Sequence, residues 1–195
     1  MRSVVAKDRL APIADHGAYW TDGLAPMPPT HGDIVSEADV VIIGSGYTGM
    51  HAAIVTANQG KTTQVLEAQT PGWGCSTRNG GQISSSIKPT LQQLKKRFGS
   101  ERARAIRAEG QKSLDWIEEF ITMHGIDCHF ARNGRFHAAH TQHHFDKLVV
   151  EAHRLGVEEN VPTIVVPQQE QHEELGTDAY FGGVVFTQHA SVHPA

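Results

Sequence analysis

Several features are scarce in this chain of 195 residues, and each scarcity argues against a class of protein. Its two cysteines, Cys75 and Cys128, are too few for the disulfide framework of a small secreted domain, so free thiols in a reducing compartment are expected. No window approaches the run of about 18 apolar residues that a membrane-spanning helix needs. The N-terminal segment also lacks the apolar core of a signal peptide. We therefore expect a soluble, cytoplasmic protein.

Neither sign of charge is in large excess. Lys and Arg total 17 against 21 Asp and Glu, which gives a formal net charge of −4. This balance gives no excess of basic residues of the kind that binds nucleic acid or an anionic membrane surface. The length is enough to bury a core of its own, so one domain, or one domain with the start of a second, is expected.

Histidine is abundant, with 13 residues, and the stretch "RFHAAHTQHH" places four of them close together. A strand followed by a helix would not bring His137, His140, His143 and His144 onto one face. No acidic residue or cysteine stands at ligand spacing either. We expect surface histidines here and predict no metal site.

The first half of the chain has the pattern of a βαβ unit. Residues 1–36 are rich in Pro and Gly and read as an extended lead-in. "DVVIIG" at 39–44 predicts a strand buried on both faces of a parallel sheet. Residues 47–58 predict a helix closed by Gly60, and "TTQVLEA" at 62–68 predicts the second strand.

The second half mixes helices and short strands. Helices are predicted at residues 91–98, 101–124 and 168–175, together with one that is capped by Thr141 and ended by Gly156. Asn133-Gly134 predicts a hairpin between the runs that flank it. "PTIVVP" and the final "GGVVFTQHASVHPA" read as strands.

Gly44, Gly46 and Gly49 form G-x-G-x-x-G between the first strand and the helix. The first glycine permits a tight turn, the second lets a pyrophosphate approach the backbone, and the third lets the helix lie close to the strand. Phosphates would then meet unpaired N–H groups at the positive end of the helix dipole.

The surroundings of the glycines make this motif more specific. Ala53 is a small residue one turn further along the helix, and Glu67 ends the second strand 23 residues after Gly44. A spacing of about 20 is typical of dinucleotide sites, where the carboxylate accepts both ribose hydroxyls and repels a 2′-phosphate. The pattern predicts a dinucleotide site, with an accidental glycine-rich turn as the alternative, and does not separate FAD from NAD. "GKT" at 60–62 is not a P-loop, because Val55 stands where its first glycine is required.

The full spacing G-x-G-x-x-G-x3-A-x6-G, ending in "VLEA" and followed by "GWGCSTRNGGQI", resembles the FAD-dependent oxidoreductases of the D-amino-acid oxidase (glycine oxidase) superfamily. The lead-in "AYWTDGLAPMPPTHGDIVSEADVVIIG" and the segments "NGRFHAAHT" and "YFGGVVFTQHASVHPA" are similar to its gamma-glutamylputrescine oxidase-like branch. The resemblance covers nearly the whole chain.

The resemblance implies an α/β fold: a Rossmann-like FAD-binding βαβ domain with a parallel sheet, and the beginning of a mainly antiparallel α+β substrate domain. We expect a lead-in at 1–36, the FAD-binding domain at 37–125 and the start of the substrate domain at 126–195. Members of the superfamily are roughly twice as long as this chain. The chain is therefore expected to be an N-terminal portion that is inactive alone.

The resemblance also implies the residues that hold FAD. Around the pyrophosphate they are Gly44, Ser45, Gly46, Tyr47, Thr48 and Gly49, and at the AMP ribose Glu67 and Ala68. Beside the flavin ring they are Ser76, Thr77, Arg78, Asn79, Gly80, Gly81 and Gln82. Some relatives attach flavin through a His or Cys near this loop. Arg78 stands where such a histidine aligns, so non-covalent FAD is expected, with attachment at Cys75 as the alternative.

The activity that the resemblance implies is the oxidation of a small-molecule amine or amino acid, with hydride transfer from the substrate α C–H to flavin N5. Oxygen or another acceptor would reoxidise the flavin. No catalytic residue is assigned, because these residues are expected beyond Ala195. A non-catalytic nucleotide-binding fragment and an NAD-dependent dehydrogenase are the alternatives. The substrate and the oligomeric state are not predicted.

Overall fold

The computed structural model describes residues 19–22, 24 and 32–195 of the chain. The chain divides into two units, of which unit 1 comprises residues 1–80 with Pro194 and Ala195, and unit 2 comprises residues 81–193. Most of the expected lead-in at 1–36 lies outside the described residues, apart from a 3₁₀ turn at Tyr19–Thr21 and a few flanking positions. The expected domain boundaries at residues 36 and 125 stay a prediction.

Unit 1 contains the βαβ arrangement that the sequence predicts. Strand β1 spans Val40–Ile43, helix α1 spans Tyr47–Asn58 and strand β2 spans Thr63–Leu66. The two strands are parallel, with Val40 opposite Thr63 and Ile43 opposite Leu66. Gly60, with a φ of 74°, turns the chain from α1 toward β2, since a positive φ costs glycine little.

A carboxylate holds together the starts of the two strands. Asp39 Oδ2 accepts the Thr62 N–H at 2.9 Å and the Thr62 hydroxyl at 2.8 Å, and the Asp39 N–H donates to the same hydroxyl at 2.9 Å. These contacts lower the pKa of Asp39, the Thr62 N–H contributing most and the hydroxyl next. The ionised carboxylate therefore helps to fix the register in which β2 joins β1.

In the part of unit 1 that the structure describes, β1 is covered on one face and exposed on the other. Ile42 faces α1, whereas Val41 is 54% exposed and Ile43 is 89% exposed. The prediction of a strand buried on both faces is therefore wrong for β1 among the described residues. The apolar sequence of β1 is suited to two covered faces, and in the described part of unit 1 helix α1 packs against one of them.

Unit 2 combines helices with two antiparallel sheets. Its helices are α2 (Leu91–Phe98), α3 (Ser100–His124), α4 (Gln142–Glu159) and α5 (Gln171–Leu175). Its strands are β3 (Gln82–Ile83), β4 (Arg135–Ala138), β5 (Thr163–Val166), β6 (Gly183–Phe186) and β7 (Ala190–Ser191). The larger sheet has the order β4-β6-β5, and β3 pairs with β7. Across the described ranges, no helix combines the length and the apolarity that a membrane crossing requires.

The beginning of α2 is fixed by a capping box, and its apolar side forms a small core with α3. The Thr90 hydroxyl accepts the Gln93 N–H, and the Gln93 side chain accepts the Thr90 N–H at 2.9 Å. Leu91 and Leu94 are buried against Ala103, with Ile106 beside them. The local pattern at 90–98 therefore agrees with the packing, and the predicted helix is confirmed.

The hairpin predicted at Asn133-Gly134 is wrong. β4 begins at Arg135 and pairs with β6, whose Phe186 lies opposite Arg135. The segment before the turn also pairs elsewhere, since Ala131 forms a bridge with Ser191. Gly134 does turn the chain, with a φ of 73°, but both flanking segments find partners near the end of the chain. A local turn signal cannot reveal such distant pairing.

The predicted end of α4 at Gly156 is also wrong, because the helix continues to Glu159 and ends at Asn160, whose φ is 52°. Asparagine is the commonest residue after glycine in this left-handed position. The last turn is held by the Glu159 carboxylate, whose side chain is 4% exposed. It accepts from Arg107 of α3 at 2.5 Å and from Arg154 at 2.9 Å.

Two glycines in helices of unit 2 should respond oppositely to substitution by alanine. A Cβ at Gly110 would collide with the Ser85 carbonyl and lie 3.1 Å from Ile87, whereas a Cβ at Gly156 would meet nothing within 4 Å. We expect Gly110→Ala to destabilise the fold by about 1–3 kcal/mol. Gly156→Ala should stabilise it by about 0.5–1 kcal/mol, because alanine is the better helix former. Urea unfolding followed by circular dichroism measures both, and a stabilised Gly110→Ala variant would disprove the close approach at Ser85.

Candidate functional site

The glycine turn between β1 and α1 has the geometry that its three glycines predict. Gly44 has a φ of 95°, and its N–H donates to the Leu66 carbonyl at 2.7 Å, which joins the ends of the two strands. A Cβ at Gly49 would collide with the Gly44 carbonyl and lie 3.2 Å from Ile42 Cγ2. The third glycine therefore lets α1 begin directly against β1.

Several backbone N–H groups lie at the start of α1. Gly46 is the N-cap residue of α1, has an extended conformation and provides no side-chain cap. The Tyr47 N–H donates to Ser76 Oγ at 2.9 Å. Among the residues that the structure describes, the N–H groups of Gly46 and Thr48 have no acceptor. These donors, together with the positive end of the helix dipole, favour an anionic ligand.

The Glu67 carboxylate follows β2 and bonds to the glycine turn. Oε2 accepts the Ser45 N–H at 2.9 Å and the Ser45 hydroxyl at 2.8 Å, and Oε1 accepts the Gln69 N–H at 3.0 Å. The Ser45 N–H, followed by the Ser45 hydroxyl, lowers the pKa of Glu67 from 4.5 to about 2. Glu67 is therefore ionised at neutral pH and acts only as an acceptor.

The loop after β2 is held by its own hydrogen bonds. The Thr77 hydroxyl donates to the Gly72 carbonyl at 2.6 Å, and Asn79 Nδ2 donates to the Ser76 carbonyl at 2.7 Å. Arg78 Nε donates to the Trp73 carbonyl at 2.7 Å, and its guanidinium lies 4.6 Å from the centre of the Trp73 ring. Arg78 is thus exposed and packed on its own loop.

The structure brings part of the predicted site together within unit 1. The residues around the glycine turn with direct contacts to one another are Ser45, Tyr47, Glu67 and Ser76. Ala68 is exposed immediately after β2, and Gly80 is exposed at the end of unit 1. Gly81 and Gln82 begin unit 2, where Gln82 pairs with Ser191 of β7. The role of all these residues in cofactor binding stays a prediction.

Two residues near the turn were not singled out from the sequence. The Gly72 N–H donates to the Ser45 hydroxyl at 3.0 Å, and the Tyr47 hydroxyl donates to the Pro194 carbonyl at 2.8 Å. Gly72, with a φ of 72°, lies in the glycine-rich loop and could have been found from its turn chemistry. The Pro194 contact spans 147 residues, and no local pattern predicts it.

The histidines at 137–144 form ring contacts in place of a ligand cluster. The ring of His144 lies 5.6 Å from that of His137 and 6.2 Å from that of His140, between centroids. Within the described part of the chain, no group of three or more His, Cys, Asp or Glu residues is placed to hold a metal ion.

The turn fits the ADP part of a dinucleotide. The Gly46 and Thr48 N–H groups could receive diphosphate oxygens, and Glu67 supplies an ionised acceptor for a ribose hydroxyl. Backbone donors of this kind, at the positive end of a helix dipole, are typical of anion sites that have no metal ion.

Comparison with known proteins matches residues 39–195 to the family model described as DAO, FAD dependent oxidoreductase. The probable oxidoreductase OrdL of Haemophilus influenzae is 29% identical over 163 residues, which cover 82% of this chain and 37% of that protein. Gamma-glutamylputrescine oxidoreductase of Escherichia coli is 36% identical over 98 residues, or 50% of this chain and 23% of that protein. The chain therefore spans well under half the length of these relatives.

Solved structures share the fold at low sequence identity. Glycine oxidase from Bacillus cereus matches with a TM-score of 0.57 and 17% identity, covering 81% of this chain and 42% of that one. A form of L-amino acid deaminase from Proteus vulgaris without its specific insertion matches with a TM-score of 0.63 and 20% identity, covering 86% and 42%. At these identities the likeness concerns the fold alone.

The depressed pKa of Glu67 makes the fold less stable in acid. Because the folded-state pKa of about 2 lies below the ordinary 4.5, its contribution is complete above about pH 4.5 and is lost as the pH falls toward 2. We expect Glu67→Gln to lower stability at pH 7, with a difference from the wild type that shrinks steadily toward about pH 3. Urea unfolding across this pH range measures that difference.

Asp39→Asn is the matched control, because Asp39 also holds a backbone N–H and a hydroxyl and also has a lowered pKa. Its stability loss should shrink in the same direction with acid. A Glu67→Gln difference that stays constant from pH 7 to about pH 3 would contradict the assigned contacts.

Proposed function

The chain belongs to the DAO family of FAD dependent oxidoreductases, and from that membership we propose that it forms the FAD-binding part of an enzyme that oxidises a small-molecule amine or amino acid. The observation that carries the proposal is the ionised Glu67 after β2, bonded to a glycine turn at the start of α1, where the N–H groups of Gly46 and Thr48 have no acceptor among the described residues. This is the donor and acceptor set that an ADP moiety needs.

We assign separate tasks to the residues of unit 1. The glycine turn from Gly44 to Gly49 binds the diphosphate, and Glu67, next to Ala68, accepts from the ribose. A carboxylate at this position would repel a 2′-phosphate, so the site selects an unphosphorylated ribose. Residues 76–80 are proposed to lie beside the flavin ring. The same position for Gly81 and Gln82, which belong to unit 2, stays a prediction.

The chemistry follows from the cofactor. FAD, when bound, supplies the acceptor for the hydride of a C–H bond next to an amine nitrogen. The residues of this chain bind and orient that cofactor and help to exclude water from it. The amine or amino-acid class is supported by the names of relatives, among them gamma-glutamylputrescine oxidoreductase and glycine oxidase.

We propose that FAD is held without a covalent bond. Arg78 occupies the position at which a linking histidine is expected from the family resemblance, and its guanidinium is engaged with Trp73. Cys75 is exposed and forms no disulfide, and it is the alternative point of attachment. The two free cysteines also support a reducing, cytoplasmic location.

Turnover is proposed to need polypeptide beyond these 195 residues. Val41 and Ile43 of β1 present an uncovered apolar face next to the glycine turn. The chain spans 37% of the length of the OrdL relative. The remaining length of such a protein is enough to supply the groups that would recognise the substrate. No catalytic residue is assigned within the chain.

FAD binding depends on the Glu67 carboxylate in this proposal. We expect Glu67→Ala to weaken FAD binding about tenfold or more, because a hydrogen bond to a charged acceptor is lost. Quenching of flavin fluorescence during titration with FAD measures the affinity. Asp39→Ala is the matched control, since it removes a similarly bonded carboxylate at the opposite ends of β1 and β2 and should leave FAD affinity within about twofold of the wild type.

Equal affinities of Glu67→Ala and wild type would contradict the assigned ribose contact. Binding of NAD with no binding of FAD would indicate the dehydrogenase alternative. After acid precipitation, the flavin should appear in the supernatant, and flavin retained in the pellet would show covalent attachment.

Activity measurements address the need for further polypeptide. We expect the 195-residue chain, supplied with FAD and a panel of amines and amino acids, to release no peroxide and to reduce no dye above the level of free FAD. An oxygen electrode and a tetrazolium dye assay measure the two acceptors separately. Turnover by the 195-residue chain would show that it is catalytically sufficient by itself.

A further inference from the structure

The 3₁₀ turn at Tyr19–Thr21 contacts the loop that is proposed to lie beside the flavin ring. Trp20 is half-buried, and its indole N–H donates to the Asn79 carbonyl at 2.6 Å, across 59 residues of sequence. The ring centroids of Tyr19 and Trp20 lie 5.2 Å apart in an edge-to-face arrangement. Trp20 and Asn79 both belong to unit 1. A short piece of the lead-in is therefore bonded to the end of this loop.

Asn79 closes the loop with its side chain. Its Nδ2 donates to the Ser76 carbonyl at 2.7 Å and to the Cys75 carbonyl at 3.4 Å, in the 3₁₀ turn Cys75–Thr77. Ser76 Oγ in turn accepts the Tyr47 N–H at the start of α1. The residue that Trp20 holds is therefore the one that keeps this turn closed beside α1.

The contact with Trp20 also sets the direction of the peptide group between Asn79 and Gly80. This peptide group is trans, so its C=O and its N–H point in opposite directions. Because the Asn79 carbonyl points toward the Trp20 indole, the Gly80 N–H points away from it. Among the described residues this N–H has no acceptor, and a Cβ at Gly80 would meet nothing within 4 Å. A backbone donor with open space around it is thus held in one direction.

The backbone after Asn79 needs such a contact, because two glycines follow. Gly81 has a φ of 67°, and glycine takes positive and negative φ with similar ease. A peptide group that had to be fixed only when a ligand arrives would cost conformational entropy at binding. A contact that fixes it in advance removes this cost from the binding free energy.

We propose that Trp20 is a positioning residue, whose indole N–H holds the Asn79–Gly80 peptide group so that the Gly80 N–H is a preformed donor to an acceptor atom of the flavin ring. This role rests on the FAD site proposed above and deepens it. Hydrogen bonds to the ring atoms of a flavin are among the contacts by which a protein tunes that cofactor. Trp20 acts through the peptide group, so its loss should affect the flavin part of the ligand and spare the ADP part, which the glycine turn is proposed to bind.

The test compares FAD with ADP by isothermal titration of the 195-residue chain. The wild type should bind FAD about tenfold or more tightly than ADP. Trp20→Phe keeps an aromatic ring and removes the N–H donor. We expect it to bind FAD about fivefold more weakly, as for the loss of one hydrogen bond, and to bind ADP within about twofold of the wild type. A residue that only stabilised the fold would weaken both ligands by the same factor, and circular dichroism melts check that the variant is folded.

Tyr19→Phe is the matched control, because it changes the neighbouring residue of the same turn and keeps the ring that packs on Trp20. Trp116→Phe makes the same chemical change as Trp20→Phe, in helix α3 of unit 2. Both controls should bind FAD and ADP within about twofold of the wild type.

Gly80→Pro removes the proposed donor itself and is the second variant. It should weaken FAD binding by a similar factor of about five. Adding Trp20→Phe to it should cause little further loss, because both changes act on the same N–H group. Unchanged FAD affinity in Gly80→Pro, or full additivity of the two losses, would overturn the proposal.

The remaining outcomes distinguish the role of Trp20 from the function on which it rests. If the wild type binds neither FAD nor ADP, the proposed function is overturned and the role of Trp20 with it. If the wild type binds ADP as tightly as FAD, the ADP site stands and the donor to the flavin ring is overturned. If Trp20→Phe weakens both ligands equally, or neither, the FAD site stands and the role of Trp20 is overturned.

Discussion

The contact between the Glu67 carboxylate and Ser45 is the interaction on which the candidate site depends. It joins the residue that follows β2 to the turn that follows β1, at the edge where the carboxyl ends of parallel strands meet. Crevices at such edges are where open α/β sheets bind their ligands. The glycine turn and an ionised acceptor thus become neighbours. The Gly44 N–H to Leu66 carbonyl bond joins the ends of the two strands, and the Ser45 contact adds a link from the turn to the Glu67 carboxylate itself.

The opposite ends of the strands carry a second carboxylate contact of the same kind. Asp39 bonds to the N–H and hydroxyl of Thr62, much as Glu67 bonds to the N–H and hydroxyl of Ser45. A two-stranded sheet is marginally stable alone, so contacts at both ends help to keep its register. The two carboxylates differ in what lies beside them. Only Glu67 adjoins the glycine turn and the start of α1, and only Glu67 is proposed to bind a ligand.

The sequence predicted the parts of the fold that depend on local spacing. The G-x-G-x-x-G turn, α1, β2 and the position of Glu67 follow from contacts within about thirty residues, where periodicity and glycine placement are informative. The prediction at Asn133-Gly134 was wrong because β4 pairs with β6, far along the chain. The end of α4 was placed too early because Asn160 could take the left-handed conformation expected of Gly156. Ser45 was grouped with the pyrophosphate residues, since no motif shows which way its hydroxyl turns.

The uncovered face of β1 has a consequence for how this polypeptide behaves in solution. Ile43 and Val41 stand side by side on a strand whose composition suits a closed interior. Apolar strand surfaces of this kind promote self-association and attract chaperones and proteases. Concentration-dependent aggregation would begin at this strand, and a charged substitution of Ile43 would raise solubility while leaving the hydrogen bonds of the parallel ladder intact.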